Sequence, residues 1–253
     1  MSSQDIILQG RGLTKSFGGF FAVNGVDIGV RRGAIHSLIG PNGAGKTTLF
    51  NLLTKIHLPS SGQIFLEGAE ITSSKPQAIA RKGMVRSFQI SACFQRMTVL
   101  ENVRVALQRP TGLAYRFWRA DACLDVLNDR ARELLASVGL EGADDAIAGE
   151  LPYGRKRALE IATTLALDPK VLLLDEPMAG LGREDIALVT ALIRRISKGR
   201  TTLLVEHNMK VVAELSDTIT VLQRGEVIAE GAYDEISQLP EVREAYLGAD
   251  EDG

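Results

Sequence analysis

The chain has 253 residues, of which 45% are hydrophobic and 24% are charged, as in an ordinary soluble globular protein. This length supports one sizeable core and excludes a small fold that depends on disulfides. Its 29 Lys and Arg residues nearly balance its 31 Asp and Glu residues, which gives a formal net charge of −2. Dedicated nucleic-acid-binding proteins usually carry a basic excess, so the charge argues against that class.

The sequence also lacks the signals of a membrane-spanning or secreted protein. It has no apolar run of the ~18 residues that a membrane-spanning helix needs. Its N-terminal sequence, MSSQD, lacks the basic-then-apolar layout of a signal peptide. Cys93 and Cys123 form neither a zinc-binding pattern nor a disulfide framework. We therefore expect a cytoplasmic protein in a reducing compartment.

Hydrophobic patterns in the first third of the chain predict several strands and one helix. Residues 6–17 mix β-branched and polar side chains and predict an early strand. The apolar run 35–39 stops at Gly40 and predicts a short strand, whereas residues 48–53 have the spacing of a helix. Further strands are predicted at 64–66 and 84–88.

From about residue 98 to residue 166 the pattern is helical, with clear helices predicted at 121–138 and 155–167. The continuous apolar run 171–174 then predicts a strand that is buried on both faces. Because strands alternate with helices again after this point, the sequence predicts an α/β fold with a parallel sheet. The later elements are a helix at 184–197, a strand at 201–205, a helix at 209–215 and hairpin strands at 218–222 and 227–230.

A glycine-rich loop between the strand 35–39 and the following helix is the strongest functional signal. Small residues let successive backbone N–H groups surround phosphate oxygens, and the helix adds its positive N-terminal end. The lysine supplies a charge to the β- and γ-phosphates and the threonine hydroxyl binds Mg²⁺. A chance glycine-rich turn is the alternative, which this context disfavours. The loop matches G-x-x-x-x-G-K-[ST] and consists of Gly40, Pro41, Asn42, Gly43, Ala44, Gly45, Lys46 and Thr47, with Thr48 as a further expected nucleotide contact.

A second motif indicates what happens to the nucleotide. The apolar strand 171–174 runs directly into Asp175 and Glu176. An acid at the end of a buried strand is costly unless it faces a cation, so Asp175 is the expected Mg²⁺ partner of the phosphate loop. Glu176 is then placed to polarise an attacking water. The alternative is a pair of solvated acids that opens a loop.

Around these motifs, the chain resembles the ATP-binding subunits of ABC transporters over nearly all its length. By this resemblance Gln89, in the sequence SFQ, contacts Mg²⁺ and the attacking water. His207, in VEHN, contacts the γ-phosphate, and the ring of Phe17 stacks on adenine. Taken singly, Phe17 also fits a strand-end core residue and His207 a capping or core histidine. The ordered set of motifs is what makes the resemblance specific.

The resemblance extends to the signature segment, which acts on the ATP of the opposite subunit. Pro152 stands where the family normally has Ser, so a hydroxyl and an N–H are missing. Two interpretations stay open: the chain pairs with a non-identical ATPase and one composite site is weaker, or the sequence has drifted and water fills the gap. The segment consists of Leu151, Pro152, Tyr153, Gly154 and Arg155.

The finer resemblance is to the ATPases of branched-chain amino acid transport systems. Some members of this branch serve amides, urea or aromatic acids instead, and the ATPase does not touch the solute. The segments that carry the resemblance are 17–23, 47–51, 97–103, 153–154, 177–181 and 240–248.

The resemblance implies a P-loop NTPase core of ABC type, with an antiparallel β-subdomain and an inserted α-helical subdomain. One nucleotide-binding domain then covers 1–253, with the ATP-binding core at 1–90 and 155–253 and the helical subdomain at 91–154. The implied function is ATP hydrolysis with Mg²⁺ that powers solute import, with Lys46, Gln89, Glu176 and His207 as catalytic residues.

The implied partners are two transmembrane permeases, a second ATPase subunit that is non-identical and, indirectly, a periplasmic solute-binding protein, with no nucleic acid. The chain would lie on the cytoplasmic face of the inner membrane. Two alternatives remain: a soluble ABC ATPase outside transport that acts as a conformational clamp, and a regulatory nucleotide-binding subunit with a degenerate signature.

Overall fold

The computed structural model describes residues 5–86, 93–108 and 125–247. The predicted contact residue Gln89 lies outside these residues. Within them, no helix is long and apolar enough to cross a membrane. The strands are β1 (Ile6–Phe17), β2 (Phe20–Arg31), β3 (Ile35–Ile39), β4 (Ser61–Leu66), β5 (Ala69–Glu70), β6 (Met84–Arg86), β7 (Val171–Asp175), β8 (Thr201–Val205), β9 (Thr218–Gln223) and β10 (Glu226–Gly231). The helices are α1 (Lys46–Leu53), α2 (Pro76–Arg81), α3 (Val99–Gln108), α4 (Asn128–Ser137), α5 (Tyr153–Leu165), α6 (Arg183–Ser197), α7 (Met209–Leu215), α8 (Tyr233–Ile236) and α9 (Pro240–Leu247).

These elements cluster into two compact units. The first contains the residues up to Met84, the segment Lys170–Glu176 and the residues from Ser197 onward. The second contains Val85–Pro169 and Pro177–Ile196.

The first unit contains an antiparallel sheet of four strands in the order β2-β1-β4-β5. The strands β1 and β2 form a hairpin in which Phe17 pairs with Phe20. The two glycines between them, Gly18 and Gly19, have φ angles of 56° and 91°, which side chains rarely allow. The expected antiparallel β-subdomain is therefore present, and β2, which no strand prediction covered, is one of its two edge strands.

The second sheet has six strands in the order β10-β9-β3-β8-β7-β6. The strands β9, β3, β8 and β7 are parallel neighbours, and β10 pairs antiparallel with β9. Every residue of β3, β7 and β8 is buried, which confirms the burial predicted for the apolar run 171–174. An apolar cluster with Phe50 of α1 at zero exposure joins both sheets. The α/β fold predicted from the sequence is confirmed.

The second unit is built from α3, α4, α5 and α6, and α5 contacts both α3 and α4. The helix α3 begins with a capping box, because Thr98 N–H donates to Glu101 Oε2 (2.7 Å) and Glu101 N–H donates to Thr98 Oγ1 (3.2 Å). The predicted helical subdomain ended at residue 154. In the structure α5 and most of α6 belong to the helical unit as well, because the buried side of α5 packs on the other helices.

A chain of polar side chains runs from the buried strand β3 through β9 to an exposed residue of β10. His36 is 1% exposed and its Nε2 lies 2.7 Å from Thr220 Oγ1. The Thr220 hydroxyl donates its single hydrogen to Glu230 Oε2 at 2.7 Å, so Nε2 of His36 must be the donor to Thr220. Burial, reinforced by the positive charge of Arg31, lowers the pKa of His36 from 6.5 to about 4.

This histidine predicts a pH dependence of folding stability. In the unfolded chain His36 takes up a proton near pH 6.5, whereas in the folded chain His36 does so only near pH 4. The contribution of His36 to the free energy of unfolding is therefore fully present above pH 6.5. It falls by about 3 kcal/mol as the pH is lowered from 6.5 to 4. Urea unfolding of the wild type and of His36→Gln across this range measures the effect. Parallel stability curves for the two proteins would contradict it.

Candidate active site

The glycine loop follows β3 and has a backbone that excludes larger residues. Gly45 has a φ of 99°, and a Cβ at this position would lie 2.3 Å from the carbonyl oxygen of Ala22. At Gly40 (φ 148°) a Cβ would lie 2.2 Å from the carbonyl oxygen of Leu222. Gly43 has a φ of 77° but open space around it. The glycines are therefore required by the loop conformation and by close approach of neighbouring backbone.

The helix α1 begins directly at this loop. Its N-cap, Gly45, provides no side-chain hydrogen bond, and the first turn contains no acidic residue. The first backbone N–H groups therefore lack a side-chain cap and carry the positive end of the helix dipole. Thr47 is exposed and Thr48 is half-buried in this first turn. This end of α1 is suited to an anion with several oxygens.

Lys46 is the cation of this loop and is only 8% exposed. Its Nζ donates to the carbonyl oxygens of Gly40 (2.6 Å) and Pro41 (2.9 Å). Burial lowers its pKa, and the negative charge of Glu176 acts in the opposite direction. The charge of Glu176 thus acts on the lysine. The Lys46 ammonium is held by carbonyl oxygens of the loop, which phosphate oxygens can replace.

Asp175 and Glu176 lie at the carboxyl end of β7. Asp175 is the last residue of the strand and is 2% exposed. Glu176 has a φ of 44°, a left-handed conformation that is unusual for a residue with a side chain, and its N–H donates to Val205 O at 2.9 Å. Such backbone strain concentrates at functional positions, where neighbouring structure holds it.

Glu206 and His207 follow β8 at the same edge of the sheet. Glu206 is fully buried, and its Oε2 accepts the N–H groups of His207 (3.1 Å) and Asn208 (3.3 Å). Asn208 in turn caps α7 through Lys210 N–H (3.2 Å). His207 is exposed. The carboxylate thus fixes the turn that presents His207, a role that the sequence does not reveal because a lone Glu beside a His carries no distinctive pattern.

Parallel pairing brings these segments to one edge. The strands β3, β8 and β7 are neighbours in this order, and the glycine loop, Glu206–His207 and Asp175–Glu176 follow their carboxyl ends. Phe17 lies in the same unit, at the end of β1, with 47% of its surface exposed.

The oxygen donors at this edge fit Mg²⁺ bound together with a triphosphate. The Thr47 hydroxyl and the Asp175 carboxylate are the hard oxygen ligands that Mg²⁺ prefers. Among the described residues no group of three or more His, Cys, Asp or Glu is arranged to hold a metal ion. A magnesium ion held by one or two protein oxygens and by substrate phosphates agrees with this donor set.

The predicted signature segment lies in the second unit, at the start of α5. Pro152 is the N-cap residue and makes no side-chain capping bond. Tyr153 Oη donates to the carbonyl oxygen of Ala179 at 3.4 Å. A Cβ on Gly154 would lie 2.5 Å from Oδ1 of Asp185. The lack of a side chain at Gly154 therefore leaves room for the Asp185 carboxylate of α6. The segment is therefore shaped by its contacts with residues 179–185.

Comparisons of sequence support an assignment of these motifs. The ABC transporter family model matches residues 23–179, and the model of the branched-chain amino acid ATP-binding cassette transporter matches residues 226–252. The branched-chain amino acid transport ATP-binding protein BraF of Pseudomonas aeruginosa is 42% identical, over 96% of this chain and 98% of that protein. LivG of Escherichia coli K12, a protein of the same description, is 40% identical, also over 96% and 98%.

The fold of the chain is also similar to solved structures of ATP-binding cassettes. An ATP-binding cassette of an ABC transporter, MJ1267 in its ADP conformation, has a TM-score of 0.83 and 30% identity, covering 96% of this chain and 99% of that chain. A nucleotide-free ATP-binding cassette from an ABC transporter has a TM-score of 0.82 and 30% identity, covering 95% and 98%.

Gly43 and Gly45 both have positive φ angles, but replacing each by alanine should change the folding free energy by different amounts. Gly43→Ala meets no neighbour and should lose about 1 kcal/mol of folding free energy from its left-handed backbone alone. Gly45→Ala adds the collision with Ala22 and should lose about 3 kcal/mol or more. Chemical denaturation without nucleotide compares the two variants. Equal losses would show that the approach of Ala22 does not constrain the loop.

Proposed function

The chain belongs to the ABC transporter family, and from this membership we propose that it is the ATP-hydrolysing subunit of an importer of branched-chain amino acids. One observation carries the catalytic part of the proposal. A buried lysine within a glycine loop and the acidic pair Asp175 and Glu176 lie at the carboxyl edge of the same parallel sheet. Catalysis of phosphoryl transfer depends mainly on such positioning and charge stabilisation.

Each predicted site residue of the first unit then has a specific role in binding or hydrolysis. Lys46 exchanges the carbonyl oxygens of Gly40 and Pro41 for phosphate oxygens. Thr47 and Asp175 hold Mg²⁺, which when bound neutralises phosphate charge. Glu176 accepts a proton from the attacking water, and the ring of Phe17 stacks on the adenine.

Two further residues complete the reacting centre in this proposal. His207 contacts the γ-phosphate from the turn that Glu206 fixes. Gln89, outside the described residues, contacts Mg²⁺ and the attacking water. Both contacts rest on the family resemblance of their motifs, and the buried Glu206 supports the placement of His207.

The solute and the partners follow from the relatives. BraF and LivG are named as high-affinity branched-chain amino acid transport proteins, and the match at residues 226–252 supports the same branch. We infer two transmembrane permeases, a second ATPase subunit and a periplasmic solute-binding protein as partners. The chain then lies on the cytoplasmic face of the membrane, held there by the permeases.

Hydrolysis is tested by ATPase assays of the complex assembled with its permeases. Lys46→Ala should lower the rate about 100- to 1000-fold, because a charge-stabilising donor is lost. Glu176→Gln should lower it about 100- to 10,000-fold, because the proton acceptor is lost. Lys170→Ala, which removes only an exposed ion pair with Glu67, is the matched control and should retain the wild-type rate. A wild-type rate no higher than the variants would favour a regulatory nucleotide-binding subunit.

The signature segment supports a finer proposal, that the partner ATPase is non-identical and one composite site is weaker. Pro152 has no hydroxyl for the γ-phosphate of the opposite subunit, and as N-cap residue it provides no side-chain acceptor for the first N–H groups of α5. A lost hydrogen bond to a charged group costs about 1.5–3 kcal/mol, which corresponds to a roughly tenfold to hundredfold weaker contact.

Restoring the hydroxyl tests this proposal. Pro152→Ser should raise the turnover of the assembled complex at least about tenfold, and should also stabilise α5 by about 1 kcal/mol through a new N-cap. Pro152→Ala, which removes the same proline without adding a hydroxyl, is the matched control and should leave the turnover unchanged. An unchanged turnover of Pro152→Ser with a stabilised helix would mean that the proline is tolerated drift.

A further inference from the structure

The ring of Phe17 is held by a neighbour that none of the sequence motifs includes. His57 meets it edge-on, with ring centroids 5.7 Å apart and an angle of 76° between the planes. This distance and angle lie in the favourable range for perpendicular aromatic pairs. Phe17 is nevertheless 47% exposed, so part of its ring surface is open to a ligand.

His57 has a fixed position because it closes the end of α1. Lys55 has a φ of 62°, Ile56 N–H donates to Asn51 O (2.9 Å) and Lys55 N–H donates to Leu52 O (3.1 Å). These are the bonds of a Schellman motif, which ends a helix with one left-handed residue. His57 N–H donates to Asn51 O as well, at 3.0 Å. The backbone of His57 is therefore attached to the C-terminal turn of the helix that begins at the phosphate loop.

The left-handed residue of this cap is itself anchored. Lys55 is 4% exposed, its Nζ donates to the carbonyl oxygen of Thr72, and burial lowers its pKa. A lysine in this conformation is strained where glycine would not be. The buried anchor compensates for the strain and sets the direction in which the chain continues to His57.

A second contact holds Phe17 from the same segment. Lys15 Nζ lies over the ring, 5.1 Å from its centroid, and donates to Leu58 O at 2.9 Å. The end of β1 is joined to this segment by two more bonds, from Ser60 N–H to Thr14 O (2.7 Å) and from Ser16 N–H to Ser60 Oγ (3.2 Å). The orientation of the Phe17 ring is thus set by the segment that follows α1.

We propose that His57 is a positioning residue for nucleobase binding, which holds the Phe17 ring in the orientation that stacks on the base. The proposal rests on the proposed function, in which Phe17 stacks on adenine. One helix then organises both ends of the nucleotide: its first turn receives the phosphates, and its C-terminal cap fixes the ring that receives the base.

The test separates base binding from phosphate binding in the purified full-length chain. Calorimetry gives the dissociation constants of MgATP and of magnesium tripolyphosphate, which has no base. His57→Ala should weaken MgATP about threefold to tenfold and leave tripolyphosphate unchanged. His57→Phe keeps an aromatic edge and should restore the affinity. Leu58→Ala, at a 60% exposed side chain of the segment that follows α1, is the control and should match the wild type, because only its backbone carbonyl contacts Lys15.

In the complex assembled with its permeases, His57→Ala should raise the KM for ATP and leave kcat unchanged. A loss of affinity for both ligands would mean that the substitution disturbs α1, which overturns the positioning role. If Phe17→Ala weakens MgATP but His57→Ala does not, the positioning role is wrong and the proposed function stands. If Phe17→Ala also binds MgATP normally, the base lies elsewhere and both assignments are wrong.

Discussion

The parallel pairing of β3, β8 and β7 is the constraint on which the site depends. It places the carboxyl ends of three buried strands at one edge of the sheet, where the glycine loop, the turn at His207 and the acidic pair begin. Every residue of these strands is buried, so ionised groups are costly along them and gather where the strands end. The chemistry of the chain is therefore concentrated at this edge.

Burial and backbone strain prepare this edge before a nucleotide binds. Lys46 is buried, and its ammonium is satisfied only because loop carbonyls accept its hydrogen atoms. Glu176 keeps a left-handed backbone that surrounding contacts maintain. Since these groups are already desolvated and oriented, little reorganisation is needed when phosphates replace the loop oxygens.

Much of this could be predicted from the sequence because its causes are local. The glycine loop is fixed by its own backbone requirements, and the strands 35–39 and 201–205 and the helix 209–215 were predicted with the bounds that the structure has. The strands β2 and β5 and the helices α2, α8 and α9 were missed. The helix α9 has only eight residues, which is too few to show a clear 3.6-residue hydrophobic repeat.

The sequence by itself determined the fold class and the residues expected to bind phosphate, because these depend on strand periodicity and on neighbouring residues, and its ordered motifs carried the resemblance to the family. Only the tertiary structure decided that Glu206 fixes the turn at His207, that His57 supports Phe17 across forty positions, and that α5 packs with the helical unit. A buried carboxylate, a perpendicular ring contact and a helix interface leave no local pattern, since each arises where distant segments pack against one another.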